Sequence, residues 1–419
     1  MPNPYRQPRL LLLAPKTTVA ALLLVAASLV CAGPAAADTE ARSQPSIGPP
    51  REAPTVDDLT RQGLGYTARG DLDRATEVWH RLRAEHPQHP AGPLLEINTL
   101  RARKAFDYQD TRYDAAIEVN AKEALRLSER WLDRAPGDPR AHFYTGQAKH
   151  QLMMLWGMRG RYYRAGTVGE EARKHLERSL VLDPSLVDAK LPLGTYYYWA
   201  SVATRFIRWL TWLWFIPTGE HDLGLAYVEE VSQQGDLYRF DASVELAQMY
   251  LYFEDRPDLA EPIITRLHDA YPENSYLAFE MVELRMTQCD YPATIAKALA
   301  MEQGNGDQFG DAPRRTAVKT WRARAELLRG NADVARAIVD ALLPEMNDLP
   351  PWGRRWLALT QGNLADLSGN RNEAVAHYER VIALKSRWES DRAVDLAGDY
   401  LRTPFRLCTE AEAGCDCSP

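Results

Sequence analysis

Apolar and small side chains return three and four positions apart through most of this chain, from about residue 56 to about residue 402, in stretches separated by Gly, Asn, Asp and Pro. The spacing predicts amphipathic α-helices joined by tight turns. Leu59, Gly63, Tyr66, Gly70, Ala75, Trp79 and Pro87 show the unit, which is a helix, a turn, a second helix and a Pro that ends it. Gly63 and Ala75 are small where two antiparallel helices would cross, Tyr66 and Trp79 fill the space between them, and Gly70 permits the turn. Pro87 cannot continue a helix and sets the boundary of the next unit. The same frame is read at Trp156, Gly160, Tyr163, Ala172, Leu176, Ser179 and Pro184, and again at Gly362, Gly369, Ala374, Tyr378 and Val381. Weaker copies lie at Ala124, Trp131 and Pro136, at Ala260, Ile264, Leu267 and Pro272, and at Gly330, Ala335, Val339 and Leu342. The segment 275–300 keeps helical spacing and loses the small-residue code. About eight helical hairpins are expected, several of them irregular.

These offsets resemble the tetratricopeptide repeat, and the resemblance implies an all-α, right-handed solenoid of antiparallel hairpins over residues 56–402. Two hairpins are stretched. One has a first helix that begins near Arg140 and runs past Trp156; the other begins at Gly194, and its turn glycine, Gly219, arrives late. The inserted stretch, 196–217, runs from Tyr196-Tyr197-Tyr198-Trp199 through Arg205, Arg208, Trp209, Trp212 and Trp214 to Pro217. Leu193-Gly194-Thr195-Tyr196-Tyr197-Tyr198, this aromatic run, Gly219 and Gly224-Leu225 resemble the central block of the tetratricopeptide repeat protein 39 family and its secreted bacterial relatives. The resemblance covers roughly residues 140–275 and implies a helical-repeat protein with no catalytic residues to carry over.

Residues 1–37 depart from the repeat. Arg6, Arg9 and Lys16 precede an uncharged run from Val19 to Val30, and Ala35, Ala36 and Ala37 supply the small side chains of a signal-peptidase site, so cleavage after Ala37 and export to the periplasm or outside are expected. The run is short for a membrane-spanning helix, which needs about 20 residues, and Val30 stands before Cys31 where a lipoprotein signal calls for a small residue. Residues 38–55, with Pro45, Pro49, Pro50 and Pro54, read as a flexible linker, and 403–419 as a Cys-containing tail.

Composition narrows the function more than it names it. Lys and Arg total 50 against 57 Asp and Glu, a net charge of −7, so no excess of positive charge draws the chain to nucleic acid. The His residues are scattered; His86 and His89 share an inter-repeat corner, and His142 and His150 share a helix with no carboxylate at metal-ligand spacing. Adjacent acids such as Glu170 and Glu171 point about 100° apart on a helix, which suits a solvated face. No zinc signature, nucleophile elbow or phosphate loop is present, so neither catalysis nor a cofactor is expected.

The aromatic block has two readings: a long hairpin buried against its neighbours, or a surface formed by Tyr196, Trp199, Arg205, Arg208, Trp209, Trp212 and Trp214 that docks a partner or rests in a headgroup layer. A spanning helix is disfavoured, because Arg205 and Arg208 would each cost about 2.5 to 3.5 kcal/mol near the bilayer centre. In an oxidising compartment Cys408 could pair with Cys415 or Cys417, and Cys289 stands apart in the repeat region. Two classes follow. One is a non-enzymatic scaffold that holds a protein or peptide; the other is the soluble component of an envelope transport or assembly system with peripheral membrane or greasy-ligand contact.

Overall fold

A computed structural model describes residues 54–105, 107, 109–202, 220–304, 312–384 and 392–407. The leader with Ala37, nearly all of the 38–55 linker, Arg205, Arg208, Trp209, Trp212, Trp214 and Gly219, and Cys408, Cys415 and Cys417 lie outside the described residues.

Among the described residues there are seventeen α-helices and no strand, and sixteen of the helices pair into eight antiparallel hairpins. They are α1 (Val56–Ala68) with α2 (Leu72–Glu85), α3 (Ala91–Arg103) with α4 (Asp114–Arg134), α5 (Pro139–Met158) with α6 (Tyr162–Leu182), and α7 (Lys190–Val202) with α8 (His221–Gln234). The array continues with α9 (Arg239–Gln248) and α10 (Pro257–Ala270), α11 (Ser275–Thr287) and α12 (Tyr291–Gln303), α13 (Ala312–Leu328) and α14 (Ala332–Leu342), and α15 (Pro351–Leu367) and α16 (Arg371–Ala383), before α17 (Arg392–Arg402) covers its end. The chain is an all-α solenoid of tetratricopeptide-type hairpins.

Local chemistry sets the boundaries. Helices α2, α4, α6 and α10 end at Glu85, Arg134, Leu182 and Ala270, each two residues before Pro87, Pro136, Pro184 or Pro272. Thr55 caps α1 in a reciprocal box with Asp58, and Asp71, Asp138, Asn274 and Asp290 accept from first-turn amides of their helices. Between first and second helices, Gly70, Gly160, Gly330 and Gly369 adopt φ of 78°, 71°, 95° and 75°. Asp255 (φ 53°) and Cys289 (φ 60°) stand in the same turn position without the freedom of glycine.

The crossing glycines are equally explicit. A Cβ at Gly63 would lie 2.2 Å from the Trp79 ring, and one at Gly362 would lie 2.4 Å from the Tyr378 ring. The third hairpin corrects the sequence register. Gly160 is its turn and not its crossing, Tyr163 is exposed at the start of α6, and the crossing glycine is Gly146, where a Cβ would lie 2.6 Å from Leu176. The reason is length: α5 has 20 residues and α6 has 21, so offsets taken from a shorter unit slide along the hairpin. In the next hairpin Gly194 and Gly224 face each other, each leaving 2.8 Å between a built Cβ and the other's carbonyl oxygen.

The first helices of the hairpins stack on one another, α1 on α3, α3 on α5 and α5 on α7, and they are buried almost all round. The second helices bury one stripe, such as Ala75, Val78, Trp79 and Leu82 on α2, and turn the rest to solvent. An inner and an outer layer result. The inner layer curves far enough to bring the first hairpin against the starts of the fifth and the sixth: Arg61 pairs with Asp236 at 2.6 Å, Arg69 pairs with Glu273 at 3.8 Å, and Asn274 Nδ2 donates to the Ala68 carbonyl at 2.7 Å. One large hydrophobic core runs from Leu59 to Leu277 and a second from Ala278 to Phe405, with a small cluster of Ala247, Leu251, Ala260, Ile264, Met281 and Leu284 where they meet. The seam between them runs along α11.

Candidate binding interior

Of the aromatic block, Tyr196, Tyr198 and Trp199 are described and buried. The Tyr197 hydroxyl donates to Glu177 at 2.6 Å and that of Tyr198 to Glu254 at 2.6 Å, while Tyr196 reaches Glu170 at 3.4 Å. Trp199 stands edge-on to Phe253, with ring centroids 4.6 Å apart. The end of α7 is therefore a wall of the interior, tied by its hydroxyls to α6 and to the turn after α9.

That interior buries charge. Arg101 on α3 and Glu245 on α9 are each 1% exposed. Among the described residues no nitrogen of the Arg101 guanidinium and no oxygen of the Glu245 carboxylate has a hydrogen-bond partner, and no ion pair joins the two, although each feels the other's charge. Burial lowers Arg101 to about 10, which leaves it charged at neutral pH. Burial pushes Glu245 up to about 7, against the pull of the Trp199 indole N–H, which faces it without reaching hydrogen-bond geometry, and of Arg101. Gln151 on α5 adds an unpartnered side-chain oxygen. Beside it, the Thr195 hydroxyl donates to the Pro192 carbonyl at 3.0 Å and so accepts from His150 Nε2 at 2.8 Å, which fixes His150 as a neutral Nε2–H imidazole. Burial first and Arg101 second hold its pKa near 3. An unpaired charge in such a place costs several kcal/mol unless polar atoms meet it.

A second polar group lies where the two cores join. Helix α9 passes into a π-helical turn, Met249–Phe253, that carries Tyr252. The Tyr252 hydroxyl donates to Glu283 and lies 3.3 Å from Glu280. Tyr276 donates to Glu280, Gln248 Nε2 reaches Glu280 at 3.4 Å, and Trp321 Nε1 donates to Glu283 at 3.1 Å. Burial raises both carboxyls, and the Glu280 charge raises Glu283 further.

Sequence reasoning missed Arg101, Glu245, Gln248, Tyr252, Tyr276, Glu280 and Glu283. The available signal was a polar stripe at helical spacing, Asp241, Glu245, Gln248 and Tyr252, within a segment that is otherwise Phe240, Val244, Leu246 and Ala247. His142 and His175 come together across α5 and α6, with Nδ1 atoms 3.1 Å apart. Among the described residues no group of three or more His, Cys, Asp or Glu could hold a metal ion, and no helix is long and apolar enough to cross a membrane. Cys289 is disulfide-bonded.

No protein-family model and no curated protein matches the chain. Solved structures similar to it include a chain of the APC/C hetero-tetramer Cut9–Hcn1 (11% identity, TM-score 0.49, 83% of this chain and 55% of that one). Others are the human IFIT1 dimer solved with m7Gppp-AAAA (11%, TM-score 0.41, 83% and 80%) and yeast Tom70 (12%, TM-score 0.34, 82% and 88%). This chain thus spans about half the length of the Cut9–Hcn1 chain it resembles. At these scores the likenesses bring neither partner nor activity with them.

Proposed function

We propose that the chain is an exported, non-catalytic scaffold that holds a segment of a partner protein against its inner helices. The observation that carries this reading is the pair Arg101 and Glu245, a buried donor set and a buried acceptor set with no hydrogen-bond partner among the described residues. An extended polypeptide presents carbonyl acceptors and N–H donors at every residue and can meet both. The aromatic run that contains Arg205, Arg208, Trp209, Trp212 and Trp214 follows Trp199 directly in sequence, which is the reason to include it in the partner surface. Export rests on the leader, and the disulfide at Cys289 supports it because such bonds persist in oxidising compartments. The exported form should begin at Asp38 by intact-mass measurement. The likeness of the central block to the tetratricopeptide repeat protein 39 family rests on sequence and adds no activity.

A random dodecapeptide library panned against residues 38–419 tests the binding role. Wild type should enrich peptides, and the double variant Arg101→Met/Glu245→Leu should bind them roughly tenfold or more weakly, since loss of an anchor costs about 2 kcal/mol or more. Absence of enrichment, or equal binding by the folded variant, would end this reading.

A further inference from the structure

The seam between the two cores has a chemistry the scaffold role leaves unused. Glu280 and Glu283 are one helical turn apart on α11, and among the described residues neither is paired with a Lys, Arg or His. The nearby guanidiniums are committed elsewhere, Arg285 to Glu261 at 2.7 Å and Arg322 to Glu302 at 2.6 Å. Around the two carboxylates stand the Tyr252 and Tyr276 hydroxyls, the Trp321 N–H and the Gln248 amide, each a neutral donor. Acceptors remain in excess. Gln248 is 5% exposed, and its side-chain oxygen has no partner although its nitrogen lies within the cluster. One turn earlier on α9, Glu245 is likewise unpartnered. The group is open at one side, because Tyr252 keeps 38% of its surface exposed.

Two carboxyls in one partly buried site, with no cation beside them, are held toward the neutral form, and a cationic group with several N–H donors would stabilise their charge. Tyrosine and tryptophan rings beside such a site add attraction for a cation. We propose that Glu280 and Glu283, with Tyr252, Tyr276 and Trp321 around them, receive the ammonium or guanidinium of a lysine or arginine side chain from the segment the scaffold holds. This deepens the scaffold reading and rests on it.

The test compares the same dodecapeptide library on wild type and on Glu280→Gln/Glu283→Gln. The amides keep the neutral hydrogen-bonding shape of protonated carboxyls and lose only the ability to carry charge, so the variant should melt no lower than wild type. Wild-type selections should be rich in Lys or Arg, and the variant's should lose that preference. A second arm uses wild type alone: replacing the selected Lys of an enriched peptide by norleucine should weaken binding roughly tenfold or more. Enrichment with no preference for basic residues, a preference the variant retains, or equal binding of the norleucine peptide would overturn the inference and leave the scaffold reading intact. No enrichment by either protein would overturn both. A rise in melting temperature with spermidine, without basic peptides in the selections, would place a free polyamine in the site and refute the peptide assignment.

Discussion

At the scale of single residues, the buried titrating groups make stability depend on pH in a direction that can be worked out. His89, His150 and His175 are held at about 4, 3 and 4, each chiefly by burial, below the ordinary imidazole value of 6.5. Between those values the unfolded chain binds more protons than the folded one, so their contribution is present above pH 6.5 and is lost as pH falls. Glu245 opposes them: raised from 4.5 to about 7, it contributes below its ordinary value and loses that contribution as pH rises through 7. Glu280 and Glu283, raised by burial as well, act in the same direction as Glu245, so the imidazole contribution has to be isolated by substitution. From pH 6.5 to pH 4.5 the urea midpoint of His150→Gln should therefore shift less toward instability than that of wild type; the same shift in both proteins would contradict the burial described for His150. None of this was legible in the sequence. His150 reads there as one more polar residue on a helix, and only Thr195, from another hairpin, fixes its tautomer.

At the scale of helices and hairpins, far more was legible, because the repeat code is local. A small residue every turn or two, an aromatic partner and a closing Pro act within one hairpin, and Gly63 with Trp79 shows how directly the code becomes contact. Gly63→Leu should overpack that crossing and cost about 1 to 3 kcal/mol. Gly137, in the turn between α4 and α5, has nothing within 4 Å of a built Cβ, and Gly137→Ala should stay within about 0.5 kcal/mol of wild type. Chemical denaturation of the two variants checks both, and equal stabilities would reject the register. The code failed where the hairpins lengthened. In α5 and α6 the same residue types, Gly160 and Tyr163, took up the turn and the surface, and the crossing passed to Gly146. The polar stripe on α9 went unread for a different reason: the groups it faces lie on α3, α7 and α11, and no spacing within one hairpin records them.

At the scale of the whole molecule, the decisive contact joins residues 206 positions apart: the Asn274 amide on the Ala68 carbonyl. Repeat arrays ordinarily hold only nearest neighbours, so a bond between the first and sixth hairpins is outside their usual logic. It turns an open path into a latch. Arg101 and Glu245 lie inside the latched turn at 1% exposure, so on the scaffold reading a peptide reaches them only when that turn opens. Arrival of a partner is then timed by the protein itself. In stopped-flow mixing, the observed rate should climb with peptide concentration and level off at the opening rate, and Asn274→Ala should raise that plateau and speed the peptide's dissociation together. A rate that stays linear in concentration would mean that the turn is open in solution. An array built this way works less as a spring than as a buckle, whose grip lasts because the step that admits a guest is the same step that must be repeated to release it.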